Sequence, residues 1–373
     1  MRQATFIITP ALALAGLGHA QAQAQSQVTL FGVVDAAAGR LQGSGPGAQS
    51  KWVLGSSGDT LSRIGLRGTE NLGGGLIAGF WLEAGLQNDI GSGFGSNSNN
   101  QASGATPPGG LTFNRRSTVS LAGPFGEVRL GRDYVPTFWN TPLYEPFGAG
   151  GGIGGSLMYS AGLGGIFHPA GTRASNSIGY FLPQGLGGFY GQAMVALGEN
   201  APGSVIPGTT LSNARDGRHV GVRLGYQSGG LNMAIATGRT TYAAGDLRVS
   251  NLAASYTWGE ALNGFKLMGQ IQSASLAGID DGGWLIGFQW PVGTGQIKGA
   301  YARYRRDATR PGPDPVATKL SLGYVHHLSK RSAVYGTVAR IGNRNGSAQA
   351  LIGSATGPDH ASSGVEFGMR HSF

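Results

Sequence analysis

The sequence predicts an all-β chain, a closed antiparallel transmembrane barrel of sixteen strands. Three observations carry the prediction. From residue 27 onward, apolar residues recur at every second position, the period of a strand with one apolar and one polar face. Short turns and long polar segments alternate between the strands. Only 12% of the 373 residues are charged and 69 are Gly, yet no apolar run reaches the roughly 18 residues of a spanning helix. A soluble domain carries about 25% charge. Low charge without an apolar helix fits a barrel, in which every other residue faces lipid. The chain has no Cys, so disulfide and thiolate chemistry are out of reach.

Residues 1–24 read as an export segment. Arg2 supplies a basic start, residues 4–17 are largely apolar, and Ala20-Gln21-Ala22 and Ala22-Gln23-Ala24 are both small-x-small cleavage patterns. Cleavage after Ala24 suits the onset of alternation best, with Ala20 and Ala22 as alternatives. Residues 25–373 then form one barrel.

The strands follow in order. In 28–40, Val28, Leu30, Gly32 and Val34 oppose Thr29, Phe31, Val33 and Asp35. In 61–70, Ile64 and Leu66 oppose Arg63, Gly65 and Arg67; in 76–87, Phe80, Leu82 and Leu86 oppose Trp81, Glu83 and Gln87. In 115–123, Val119 and Leu121 oppose Arg116, Thr118 and Ser120, and in 127–132, Val128 and Leu130 oppose Glu127 and Arg129. The pattern continues through 173–182, 188–197, 219–227, 231–242, 247–258, 264–275, 282–290, 295–305, 317–327, 331–341 and 364–373. Segments 231–242 and 295–305 alternate imperfectly, so their faces stay unassigned. Tight Gly, Pro and Asn turns such as 71–74, 124–126 and 291–294 follow the even strands. Longer segments such as 41–60, 88–114, 198–218, 306–316 and 342–363 follow most odd strands. Short turns on one side and long loops on the other are expected of an outer-membrane barrel. Closure also pairs every ladder hydrogen bond in lipid.

The longest interruption is 133–172. Forty residues without periodicity exceed ordinary loops several-fold, but the stretch is not composed like disorder. It holds Tyr134, Phe138, Trp139, Tyr144, Phe147, Tyr159 and Phe167, and its acids are Asp133 and Glu145. It is expected to fold against the barrel wall.

Five stretches resemble the trimeric general porins of Gram-negative bacteria, most closely the betaproteobacterial branch: QVTLFGVVDAA at 27–37, SRIGLRGTENLGGGL at 62–76, NRRSTVSLAGPFGEVRLGRDY at 114–134, HHLSKRSAVYG at 326–336 and GVEFGMRHSF at 364–373. The resemblance implies a homotrimeric outer-membrane channel for passive diffusion of small hydrophilic solutes, with the third loop folded inward as a constriction. It implies a ladder of wall arginines, here Arg63, Arg116 and Arg173, with Arg67 one step along from Arg63. Alternation independently turns Arg63, Arg67 and Arg116 inward. The same arginines could also pair with loop carboxylates and pin the loop. Glu145, in LYEPFG, looks like the family's acidic loop tip. The terminal strand ending in Phe373 resembles the signal read by the barrel-assembly machinery, although its aromatics would also suit a lipid-facing girdle. Arg132 resembles an arginine that meets the second loop of a neighbouring subunit. The implied partners are further copies of the chain, outer-membrane lipid and lipopolysaccharide. No cofactor and no nucleic acid are expected.

Charge predicts anion preference. With Arg2 removed, 26 of the 27 Lys and Arg face 18 Asp and Glu. Asp35, Glu83 and Glu127 share the inward face with Arg129 and offset part of this field. The net charge of +9 does not suggest nucleic-acid binding, because the basic residues recur singly within strands. An enzyme is not expected. The 7 His are scattered, His326 and His327 fall on opposite faces, and no nucleophile-elbow or phosphate-loop motif occurs. Two other readings stand beside the general channel. One is a solute-specific anion channel, with Arg303, Arg305 and Arg306 as a binding ladder, a cluster equally suited to lipid phosphates. The other is a surface adhesin or antigen on a barrel scaffold, which the Gly-, Ser-, Asn- and Ala-rich loops disfavour.

Overall fold

The computed structural model describes residues 27–150, 152–165, 168–307 and 311–373. The export segment 1–24 lies outside the described residues. One antiparallel sheet of eighteen strands closes on itself, and two of these, Lys51–Ser56 and Ser92–Gly93, are short segments within loops. The remaining sixteen are β1 (Gln27–Gly43), β2 (Arg63–Gly73), β3 (Leu76–Gln87), β4 (Arg116–Gly123), β5 (Gly126–Tyr134), β6 (Arg173–Phe181), β7 (Phe189–Ala196) and β8 (His219–Ser228), followed by β9 (Leu231–Thr240), β10 (Leu247–Thr257), β11 (Lys266–Leu276), β12 (Ile279–Val292), β13 (Gly295–Arg306), β14 (Val316–His327), β15 (Ser332–Arg344) and β16 (Ser362–Ser372). Each pairs with its neighbour in sequence. β1 closes the barrel on β16 from Val33↔Ser372 to Gly43↔Ser362.

Alternation sets the two faces. Leu30, Leu66, Val119, Leu130, Leu224, Ile235, Leu252, Ile286, Leu320 and Phe367 are all exposed, on one parity of their strands. A band of exposed aliphatic side chains has no place in water and marks the lipid face. The opposite parity is the inner wall. The imperfect alternation of 231–242 has a physical cause: Ala234, Ala236 and Gly238 form the inner face, so hydropathy does not distinguish it from Met233 and Ile235 outside. In β13, Ala302 and Tyr304 are buried inside while Tyr301, Arg303 and Arg305 are exposed outside.

The turn between β2 and β3 holds Gly73, Gly74 and Gly75 at φ +83, +59 and +81, a left-handed run open to Gly at no steric cost. At the barrel seam, the Gly32 amide and carbonyl exchange bonds of 3.0 and 3.1 Å with Phe373. The Phe373 ring lies over Gly32, where an added Cβ would stand 2.3 Å from a ring carbon. Phe373 therefore faces outward and covers the seam.

Two loops differ from expectation. Part of 41–60 is strand: Lys51–Ser56 pairs with the upper half of β1. The loop 88–114 folds onto its own barrel. Asn100 donates to the carbonyls of Ser175 and Gly217 and accepts from the Ser175 amide at 2.6 Å. Arg132 donates to the Asn97 carbonyl of its own second loop at 3.1 Å and to Ser175 Oγ at 2.8 Å.

Candidate functional site

Described residues of 133–172 hydrogen-bond to side chains of the barrel strands. Asn140 donates to Asn251 Oδ1 at 2.7 Å and accepts from Arg223 Nε at 2.7 Å, on β10 and β8. Tyr144, fully buried, donates to Asn232 Oδ1 at 2.7 Å. Gln289 holds the Pro146 carbonyl at 2.8 Å, and Glu366 accepts from the Ile153 amide at 3.1 Å. Lys319 donates to the Gly155 carbonyl, and Asp281 accepts from the Leu163 amide at 2.6 Å. Every one of these wall residues has the inner parity. Two of the loop aromatics are buried in packed clusters: Phe138 joins Val135, Ala174 and Met194, and Phe147 joins Ile153, Leu157 and Tyr304.

Where the loop leaves β5 and returns at β6, the predicted basic residues gather. Glu83 pairs with Arg115 at 2.5 Å and with Arg63 at 3.7 Å. Asp133, buried, pairs with Arg129 at 3.1 Å and Arg116 at 3.9 Å. Glu127 takes the other side of the Arg129 guanidinium at 2.8 Å. The Tyr134 hydroxyl accepts from Arg115 at 2.9 Å and from Arg173 at 3.0 Å, and Arg173 lies over the Tyr134 ring. Arg67 stands between Phe31 and Trp81, 5.3 and 5.1 Å from their ring centres. A cation on an aromatic face keeps its charge and loses little mobility, as in other cation–π pairs. A cavity of about 310 Å³ is lined by Arg63, Arg115 and Lys298 on the wall and by Phe138, Glu145 and Phe147 on the loop.

Three sequence expectations need correction. Glu145 is not presented to the lumen as an acidic tip; it is 3% exposed, between the loop and Lys319. Asp35 has the inner parity but is fully buried, accepting from the amides of Gly58, Asp59 and Thr60 and from Tyr335. Arg303 and Arg305 face outward while Arg306 faces in toward Asp281, so the three form no ladder. Sequence reasoning also missed residues. Arg115 escaped because the ladder ends at Glu83↔Arg116, so the residue before β4 does not obey its alternation. Lys298 and Asp59, joined at 2.7 Å, bring β13 and the first loop together, and Asp59 also meets Arg370 at 2.9 Å. Among the described residues no cluster of three His, Asp or Glu could hold a metal.

Burial raises the Glu145 carboxyl to about 8, opposed by Lys319 and the Ser156 amide. Its folded value lies above the ordinary carboxylate value, so folding favours the protonated form. The resulting stability is full below the ordinary carboxylate range and is lost as pH rises through about 8. Urea-unfolding midpoints in micelles are expected to fall between pH 5 and pH 9 for the wild type, and to fall less for Glu145→Gln. Equal slopes would show that Glu145 is ionised throughout.

The family model of the Gram-negative porins matches residues 9–346. The chain belongs to the Gram-negative porin family. This porin is 38% identical over 371 residues to outer membrane porin protein 32 of Delftia acidovorans, covering 94% of this chain and 95% of that one. It is 26% identical to an outer membrane porin of Bordetella pertussis, over 86% and 90% of the two chains. Among solved structures, an anion-selective porin from Comamonas acidovorans superposes with a TM-score of 0.78 at 36% identity, covering 94% of this porin and all of that chain. The family and the closed barrel make this porin a multi-pass protein of the Gram-negative outer membrane. They point to a channel rather than an enzyme.

Proposed function

We propose that this porin forms a water-filled channel for passive diffusion of small hydrophilic solutes, narrowed by the loop 133–172 and preferring anions. One observation carries the preference, the unequal pairing of inner charges. Glu83, Asp133 and Asp59 each meet two cations. Arg67, Arg173 and Arg223 have no carboxylate within ion-pair distance among the described residues. A guanidinium stays charged at any working pH, so the surplus is a fixed positive field along the wall. The Comamonas relative, described as anion-selective, supports the same sign. The family supports a homotrimer whose last strand, ending in Phe373, is read by the assembly machinery, with residues 1–24 as the export segment.

Planar-bilayer recording across a KCl gradient tests this. Stepwise conductance with a chloride-favouring reversal potential is expected. A potassium-favouring potential would overturn the charge argument and leave the channel. Absence of conductance from folded protein would overturn the channel itself.

A further inference from the structure

Between the loop 133–172 and the barrel wall lies a second cavity, of about 420 Å³. Leu41 of β1, Val53 of the strand Lys51–Ser56, Ile153 of the loop, Ile341 of β15 and Leu351 make its wall apolar. Leu61 and Gly150 line both cavities. A Cβ added at Gly150 would stand 2.5 Å from Leu61 Cγ, so these two residues are the partition between this chamber and the pore cavity. The lining also includes Phe94 of 88–114 and Ile352 of 345–361, both exposed, so the chamber opens among the long connections.

The charged residues of the lining are Lys319 and Glu366, each 6% exposed. The loop fixes both. Lys319 donates to the Gly155 carbonyl, and Glu366 Oε1 accepts from the Ile153 amide. Glu366 Oε2 has no hydrogen-bond partner among the described residues. One charge of each sign therefore faces the chamber. An anion brought in would meet Glu366 and a cation would meet Lys319, and either would leave water for a mostly apolar wall. A hydroxyl both donates and accepts, so it suits a carboxylate and an ammonium alike. Cavities of about 300–1,000 Å³ with apolar walls and a few fixed polar groups are the usual form of a small-molecule site.

We propose that this chamber binds an uncharged, mostly apolar molecule carrying a hydroxyl, of the phenol and naphthol class, with its ring against Ile153, Ile341 and Leu351 and its hydroxyl at Glu366. The site stands beside the anion path, and the proposal does not use the ion preference of the channel. Binding is read without conductance, so either can fail alone.

The full mature protein, with methyl-labelled Ile and Leu and folded in detergent micelles, is titrated with 1-naphthol at neutral pH and followed by methyl NMR. Saturable shifts are expected at Ile153, Ile341 and Leu351. Ile235 and Ile286, exposed on the lipid face, report partition of the probe into detergent and are expected to show no saturation. Naphthalene, which lacks the hydroxyl, is expected to bind roughly tenfold more weakly, the worth of one hydrogen bond to a charged group. 1-Naphthoate and 1-naphthylmethylammonium are expected to bind more weakly than 1-naphthol. Val53→Trp, which fills the chamber from a half-buried position, is expected to lose the saturable shifts. The wild-type arms decide the matter if that variant does not fold. Absence of saturable shifts at the three chamber residues would overturn the site, as would unchanged 1-naphthol affinity of folded Val53→Trp. Equal affinity for naphthalene would overturn the role of Glu366. Equal or tighter binding of either ion would overturn the assignment to an uncharged ligand.

Discussion

Replacing Arg67 and Arg173 together by Gln is expected to remove most of the chloride preference of the channel. Neither has a carboxylate partner among the described residues, so each substitution subtracts a whole positive charge from the lumen and exposes no anion. A unit charge about 4 Å from an ion in water is worth about 1 kcal/mol, or roughly a fivefold change in the anion-to-cation ratio per arginine. The measurement belongs at about 0.1 M KCl, because screening shortens to about 3 Å at 1 M. Arg115→Gln is the informative contrast. It would leave Glu83 with Arg63 at 3.7 Å as its remaining ion-pair partner. That variant is expected to shift the reversal potential further toward potassium per charge removed, and to destabilise the barrel. An unchanged reversal potential in the Arg67 and Arg173 double variant would locate selectivity elsewhere.

The largest stability effect is expected at Asp35. Its carboxylate collects the amides of Gly58, Asp59 and Thr60 at 3.0, 3.1 and 2.7 Å and the Tyr335 hydroxyl at 2.5 Å. Asp35→Ala strands all four donors. Each unsatisfied buried group costs about 1–3 kcal/mol, and release of the turn to water recovers part of it, so a loss of roughly 3 kcal/mol or more is expected. The same turn carries Asp59, which holds Lys298 at 2.7 Å. Its release should therefore also free a lumen cation and strengthen anion preference. Urea unfolding in micelles reads the first effect and reversal potential the second. A variant with the wild-type midpoint would show that the turn is held without Asp35.

Much of the barrel was legible because period-two alternation is imposed directly by lipid outside and water or loop inside. The inward faces of Arg63, Arg67, Glu83, Arg116 and Arg129 followed from parity alone. Legibility ended where a residue left the ladder or where polarity stopped tracking the face. Arg115 precedes β4 and is freed from its alternation. β9 shows Ala and Gly inward because the loop packs there, so the hydropathy contrast disappears. Arg303, Arg305 and Arg306 looked like one cluster in sequence, but adjacent strand residues point to opposite faces. The side-chain direction of Glu145 could not be read at all, since it depends on how an aperiodic loop meets Lys319. Nothing in the sequence pattern tells a carboxylate at a loop tip from one buried beneath it.

The seam between β1 and β16 has a consequence for the order of assembly. Val33 pairs with Ser372 and Gly43 with Ser362, so the first and last strands of the barrel meet along its seam. One edge of the first barrel strand, Val33 to Gly43, is therefore satisfied only by the last strand of the barrel. Pairing so distant in sequence is slow to form. Until the last strand arrives, the open edge of β1 offers unpaired amides and carbonyls to any other strand it meets. The periplasmic transit of this chain is thus a waiting period, and its yield should be limited by how long β1 is shielded rather than by the stability of the finished barrel.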